Sequence, residues 1–374
     1  MNAWAATFLT ACELDVLALK PGNVSVDSPG HGMTAGDFRA SAQAAAPHLC
    51  DCGLGVGERI HRAVAATREK VGCNTNLGIL LLAAPLIHAA QHRLPDESFP
   101  QRLSRTLAGL GREDADQVFQ AIRLANPGGL GRSERHDVAR PATVTLLAAM
   151  HEAAARDRIA RQYARGYADV FAIGLPGLRA GRARWGDETR AVGAAFMDFL
   201  AAFPDSHVLR KYGPATGQEV RAQAMACQAD LERCADWPAA RARLQHLDAV
   251  FKAARINPGT SADLTVAACL VERLLPDSAS QRVPVAGSAP ERDPRSLSDL
   301  SDRSGTSGRA GTDVHDFAAD GHAILRESGE IRTAPATSSV DQPPVRPAPG
   351  LAEPTFFFST QGGCHGKDRS RNGR

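Results

Sequence analysis

Up to about residue 275 the apolar positions of this chain recur at three- and four-residue spacing, and no segment of adequate length alternates with period two. Residues 3–19 place Trp4, Phe8, Leu9, Cys12, Val16 and Leu19 at helical spacing and stop at Lys20-Pro21-Gly22-Asn23, where proline and glycine forbid continuation. After a polar loop, Thr34 or Asp37 can start a second helix, through Phe38 and a run of alanines to Leu49, and a third spans about 56–70. The next stretch is Val71-Gly72-Cys73-Asn74-Thr75-Asn76-Leu77-Gly78, whose polar cluster opens directly into Ile79-Leu80-Leu81-Leu82-Ala83-Ala84. A run apolar on every side can be a helix only if it is buried, so its polar end must open inside the protein. This helix runs to about Gln91, with a bend at Pro85.

Residues 100–109 and 113–124 read as two amphipathic helices, 126–133 as a Gly-rich loop, and 142–173 as a long helical region with a break near Arg156-Asp157. Further helices are expected over 185–203, 216–234, 238–255 and 261–275. The expected fold is all-α, a single multi-helix bundle domain over residues 1–276. From Pro276 onward Ser, Pro, Gly, Asp and Arg dominate, and aromatics almost vanish before Phe356-Phe357-Phe358. Such a segment cannot bury enough apolar surface to offset the entropy of ordering it, so residues 277–374 are expected to be a low-complexity disordered tail.

Composition sharpens this picture only in places. Aromatics make up 5% of the 374 residues and alanine dominates many windows, which favours close-packed helices over β-sandwiches or barrels. The formal net charge of +2 singles out no partner, and without a basic stripe interleaved with stacking aromatics no nucleic-acid binding is expected. The beginning of the chain lacks the basic start and cleavage site of a secretory signal. The longest apolar runs fall short of the roughly 20 residues that span a bilayer. A cytoplasmic protein with no membrane segment is expected, with its eight cysteines as reduced, mostly buried thiols.

Four polar clusters sit at helix boundaries: Lys20 to Asn23 with the loop through His31 to Asp37; Asn74-Thr75-Asn76 with Gly78; Asp205-Ser206-His207-Val208-Leu209-Arg210-Lys211-Tyr212-Gly213; and Asn257-Pro258-Gly259-Thr260-Ser261-Ala262-Asp263. Each has a plain reading: Asn, Thr, Ser and Asp are good helix caps, and a lysine suits a helix end. Each also has a functional one, because the first N–H groups of a helix lack internal partners and suit an anion such as a phosphate. Two of the four join a Pro-Gly turn to an Asn, and two place Asn, Thr or Ser at the head of an apolar helix, a pattern of helix ends converging on one pocket. The Gly-rich loop lacks the Gly-Lys-Ser/Thr ending of a P-loop and follows no strand, although Arg132, Arg135 and Arg140 could serve phosphates. No zinc-ligand spacing and no serine-hydrolase elbow occurs.

Taken in order, these clusters with Phe38-Arg39-Ala40-Ser41-Ala42 resemble the triphosphoribosyl-dephospho-CoA synthase family over about residues 5–275. The resemblance implies an all-helical enzyme that joins ATP to 3′-dephospho-CoA with release of adenine, using Mg2+. The family's Lys-Pro-Gly turn is matched by Lys20 to Gly22, and its Pro-Gly-x-Ser-Ala-Asp by Pro258 to Asp263. Two departures stand out. Where the family has Asn-Thr-His-Lys-Gly, this chain has Asn74-Thr75-Asn76-Leu77-Gly78. Where the family has Gly-x-His-x-Asp-Met, it has Pro29-Gly30-His31-Gly32-Met33, with Asp27 and Asp37 as the nearest acids. This version is similar to a branch found with synthesis of methanopterin-type one-carbon cofactors, so its acceptor can differ.

For the family reaction the transition state is oxocarbenium-like. Asp37, Asp263 or His31 would accept the proton of the attacking hydroxyl. Lys20, Lys211 and the helix start at Asn74, Thr75, Asn76 and Gly78 would hold the triphosphate, Asn23 and Asn257 the ribose or base edges, and Asp205, Ser206 and Ser261 complete the expected nucleotide site. No metal-ligand set is assigned. The competing expectations are a kinase- or ligase-like step that leaves adenine attached, and a nucleotide-binding helical protein without catalysis; an oligomer is compatible with all three.

Overall fold

The computed structural model describes residues 2–128, 131, 133 and 135–275; the expected tail lies outside them, as does Arg132. The described part falls within one compact unit. Its helices are α1 (Ala3–Leu17), α2 (Ala35–Leu49), α3 (Val56–Val71), α4 (Leu77–Gln91), α5 (Phe99–Ala108), α6 (Arg112–Ala125), α7 (Leu146–Ala153), α8 (Arg158–Ala164), a short π-helical turn (Val170–Gly174) leading into α9 (Leu175–Trp185), α10 (Glu188–Ala202), α11 (Ser206–Arg233), α12 (Trp237–Ala253) and α13 (Gly259–Leu274). Among the described residues there is no strand, only an isolated bridge between Gly30 and Met33. The all-α expectation holds.

α4 is the hub. From Leu77 to Ala90 every residue but His88 is buried, and the helix packs on α3, α5 and α13. Pro85 lies inside it without ending it. A proline at this position removes the N–H that would bond the Leu81 carbonyl one turn back. The hydroxyl of Tyr163 donates to that carbonyl at 2.6 Å, and Tyr167 donates to the Leu82 carbonyl at 2.9 Å. Both rings are fully buried from α8 and the turn after it, so the broken ladder is repaired by side chains and the apolar helix keeps its place. α13, buried almost throughout, forms the second axis, against which α1, α4 and α10 pack. A further apolar cluster joins α10, α11 and α12 through Phe196, Leu200, Val208, Leu244 and Phe251.

Three elements differ from expectation. Residues 142–173 divide at the expected break, where Asp157 caps α8 by accepting from the Ala160 N–H at 2.9 Å, but the first helix is confined to Leu146–Ala153 and the region ends in a π turn. α9 was not expected, since Gly174, Pro176, Gly177 and Gly181 dilute its helical signal. Those glycines let it lie against α10, where a Cβ on Gly181 would meet the Ala191 Cα at 2.8 Å. α11 begins ten residues earlier than read, at Ser206, and breaks at Gly213, whose φ of 85° and ψ of 174° leave a short arm, residues 206–212, ahead of Pro214. Among the described cysteines, Cys12, Cys50, Cys52, Cys227, Cys234 and Cys269 are free thiols.

Candidate functional site

The Lys20-Pro21-Gly22-Asn23 turn rests on the turn that joins α12 to α13. Gly22 has φ of 79°, and a Cβ there would lie 2.9 Å from the Ile256 carbonyl oxygen and 2.9 Å from the Phe251 Cβ, so both conformation and space demand glycine. Asn23 Nδ2 donates to Asn257 Oδ1 at 2.9 Å, and the Gly22 N–H donates to Asp248 Oδ1 at 2.8 Å. Lys20 is fully buried, its ammonium 2.6 Å from Asp15 at the end of α1. Burial pushes the Asp15 carboxyl above the ordinary range, against the pull of Lys20.

Over this junction opens a pocket of about 310 Å³ lined by Pro29, Gly30, His31, His207, Lys211, Lys252, Arg255 and Asn257. No carboxylate lines it. His31 Nε2 lies 2.8 Å from the Gly22 carbonyl, which can only accept, so Nε2 carries the proton and Nδ1 is left as the ring's acceptor. Burial holds the His31 pKa below its usual value, helped by Lys211 and Lys252. The imidazole is therefore neutral at pH 7. Tyr212 pins the base of the pocket by donating to the Arg255 carbonyl at 2.7 Å.

Beside the pocket, Asp205 ties two helix starts together. Its Oδ1 accepts from the N–H groups of His207 (2.8 Å) and Val208 (3.2 Å), capping α11, while Oδ2 accepts from the Ser261 N–H (2.7 Å) and hydroxyl (2.9 Å) on α13. Burial raises the Asp205 pKa against these bonds. Ser206 accepts from the Arg158 N–H at 2.8 Å, fastening α8 to the same place. Arg210 faces Asp157, Asp205 and fully buried Asp263; burial draws its pKa down to about 10 while these acids pull the other way.

The other expected residues form a separate network of hydrogen bonds. Asn74 Oδ1 accepts from the Leu77 N–H at 3.2 Å, Thr75 donates to Ser41 Oγ at 2.6 Å, and Asn76 Nδ2 donates to Thr67 Oγ1 at 3.2 Å, joining α4 to α2 and α3. Gly78, the next residue but one, is buried in the first turn of α4. The Asn74 amide, 4% exposed, keeps Nδ2 without a hydrogen-bond partner, as does the Asn23 amide at Oδ1. Asp37 is engaged at its own helix start: Oδ2 accepts from the N–H (2.7 Å) and hydroxyl (2.8 Å) of Thr34.

The structure thus brings together His31, Lys211, Asn257 and, through Asn257, Asn23; it joins Asp205 to Ser261 and sets Asp263 near Arg210. Sequence reading missed Lys252, Arg255 and His207 as lining, and Asp15 and Asp248 as partners. Lys252 and Asp248 lie four residues apart on α12 and look in the sequence like an exposed helix pair. Among the described residues no three His, Cys, Asp or Glu side chains cluster as metal ligands. The cationic lining does not fit magnesium, which takes carboxylate and phosphate oxygens. No described helix is long and apolar enough to cross a membrane.

Comparison with curated proteins gives no match. Among solved structures, the chain is similar to the crystal structure of a protein assigned as a triphosphoribosyl-dephospho-CoA synthase from Archaeoglobus fulgidus, at 22% identity and a TM-score of 0.48, covering 62% of this chain and 97% of the other. The model of the CitG family, ATP:dephospho-CoA triphosphoribosyl transferase, matches residues 1–282 and so takes in the whole described bundle; the chain belongs to that family and is a transferase of its type.

Proposed function

We propose that this protein transfers the triphosphoribosyl group of ATP to 3′-dephospho-CoA or a closely related nucleotide, releasing adenine. The observation that carries the reading is the pocket of His31, His207, Lys211, Lys252, Arg255 and Asn257, which gathers cations and imidazoles with no acid among them. Such a lining suits a polyphosphate. Lys211, Lys252 and Arg255 hold the triphosphate, and Asn257 with its partner Asn23, whose Oδ1 is spare, takes up nucleotide edges. Asp205, Ser206, Ser261, Thr75, Asn76 and Lys20 fix the helix starts and the turn instead of meeting the substrate.

In the reaction the C1′–N9 bond of ATP breaks as the acceptor's ribose hydroxyl attacks C1′; the hydroxyl loses its proton and the departing adenine, which takes the bond's electron pair, gains one, so the exchange is proton-neutral overall. His31 is the best placed base: neutral, with its Nε2–H hydrogen-bonded to the Gly22 carbonyl and Nδ1 left as the acceptor. Asp37 is occupied at its helix start, and Asp263 is fully buried. Most of the rate comes from holding both nucleotides in register, worth about 7–11 kcal/mol in favourable cases. No step is assigned to magnesium, which enters with ATP.

The test is to incubate the protein with ATP, magnesium and dephospho-CoA and separate the products. Free adenine, with loss of dephospho-CoA, is the expected result. ADP or AMP in its place overturns the reading in favour of a phosphoryl or adenylyl step, and unconsumed ATP favours a binding protein. Lys211→Ala and Arg255→Ala are each expected to raise the KM for ATP roughly ten-fold or more, the scale of a lost charged hydrogen bond. His31→Gln should lower kcat by about 100-fold or more.

A further inference from the structure

Asp248, on α12, is 7% exposed and reaches three groups of the loop and pocket. Oδ1 accepts from the Gly22 N–H at 2.8 Å, Oδ2 accepts from the Ser28 hydroxyl at 2.5 Å, and Oδ2 lies 3.4 Å from the Lys252 ammonium. Lys252 in turn donates to the Ser28 carbonyl at 2.6 Å and also contacts the Ser28 hydroxyl. One carboxylate therefore grips both ends of the segment from Gly22 to Ser28, and the same Gly22 whose N–H it holds presents the carbonyl that His31 bonds. The packing leaves little slack: a Cβ on Gly30 would lie 3.2 Å from Lys252 Cε.

We propose that Asp248 is a positioning residue that fixes the His31 loop and offsets the Lys252 charge inside the polyphosphate pocket, so that base and cation are held in their working states. This rests on the assignment of His31 and Lys252 to the reaction above. The charges around His31 are Lys211 from α11 and Lys252 and Asp248 from α12, with Arg255 also in the lining. Asp248 is the acid among them, and Lys252 is further faced by Lys20. The exposed Arg241–Asp27 pair, at 3.3 Å, ties the same loop to α12 from outside.

Asp248→Asn keeps an oxygen for the Gly22 N–H but removes the charge. Two cations then face His31 and Lys252 without their counter-charge, so both groups lose their protons more easily. The acid and alkaline limbs of the kcat/KM profile should both move to lower pH, by about half a unit for one charge lost at this range. A purely structural role would lower the whole profile with its limbs unmoved, which would overturn the proposal. The decisive measurement needs no substrate: the NMR titration midpoint of His31 in the full chain, assigned by its loss in His31→Gln, should fall in Asp248→Asn and rise in Lys252→Met. An unmoved midpoint in either variant overturns the proposal, and Lys252→Met serves if Asp248→Asn does not fold. Shifted midpoints in a protein that releases no adenine would sink the functional reading and leave only the hold of Asp248 on the His31 loop and the Lys252 charge.

Discussion

Lys20 has the look of a solvated helix end in the sequence, and the structure buries it against Asp15. Taking away one partner of a buried ion pair leaves the other charge uncompensated, typically at about 3–5 kcal/mol. Lys20→Met is therefore expected to lower stability by that amount in urea melts, and Asp15→Asn added to it should recover part of the loss. His88 offers a second test. Burial, then His92, Arg59 and Arg105, push its pKa down to about 4 from the usual 6.5. The unfolded chain takes up this proton first as pH falls, so the contribution is whole above about pH 6.5 and is lost between there and pH 4, to the extent of roughly 1–3 kcal/mol. His88→Gln should flatten that slope. What the sequence could not reveal at this scale is pairing: Asp15 reaches Lys20 past the end of its helix, and Asp248 reaches Gly22 and Ser28 from another part of the chain, where no spacing rule connects them.

Among the elements, those with a continuous apolar face were readable. The bounds of α4 were legible, because a run without a polar face admits one environment only; its N-cap, Asn76, makes no side-chain cap bond, and Pro85 lies inside it. α9 was hidden by the glycines that let it touch α10, and the arm at 206–212 by the Gly213-Pro214 break that ends it. That arm carries His207, Arg210 and Lys211, so the part of α11 that matters for the site is the part least helical in its pattern. The repair of α4 by tyrosine makes a prediction of its own. Tyr163→Phe leaves the buried Leu81 carbonyl unbonded and should cost about 1–3 kcal/mol. Pro85→Ala restores an N–H to that carbonyl, so the same Tyr163→Phe change made in the Pro85→Ala background should cost much less, read as a coupling energy in a double-mutant cycle.

For the molecule as a whole, one part of the converging-corners expectation took shape and another did not. The first, third and fourth clusters meet where α12 turns into α13; the Asn74 group bonds elsewhere, to α2 and α3. The fold class followed from periodicity, but the pocket's cations come from three separate places: Lys211 on the first arm of α11, Lys252 on α12, whose sequence advertises only an exposed helix, and Arg255 just beyond it. The apolar core of the described residues draws on side chains as far as Leu274, and the family match ends at 282. A chain ending at residue 282 is expected to melt cooperatively at the same temperature as the full chain and to keep its activity; loss of soluble protein would show that later residues complete the core.

The bond from Tyr163 to Leu81 spans 82 residues of chain. At about 5–20 residues per second, a ribosome needs roughly 4–16 s to make that intervening length. Throughout that interval α4, the most apolar helix among the described residues, has been synthesised but has an unfinished backbone and no hydroxyl to close it. Nascent chains stalled between these two points are where a holding chaperone would find its grip.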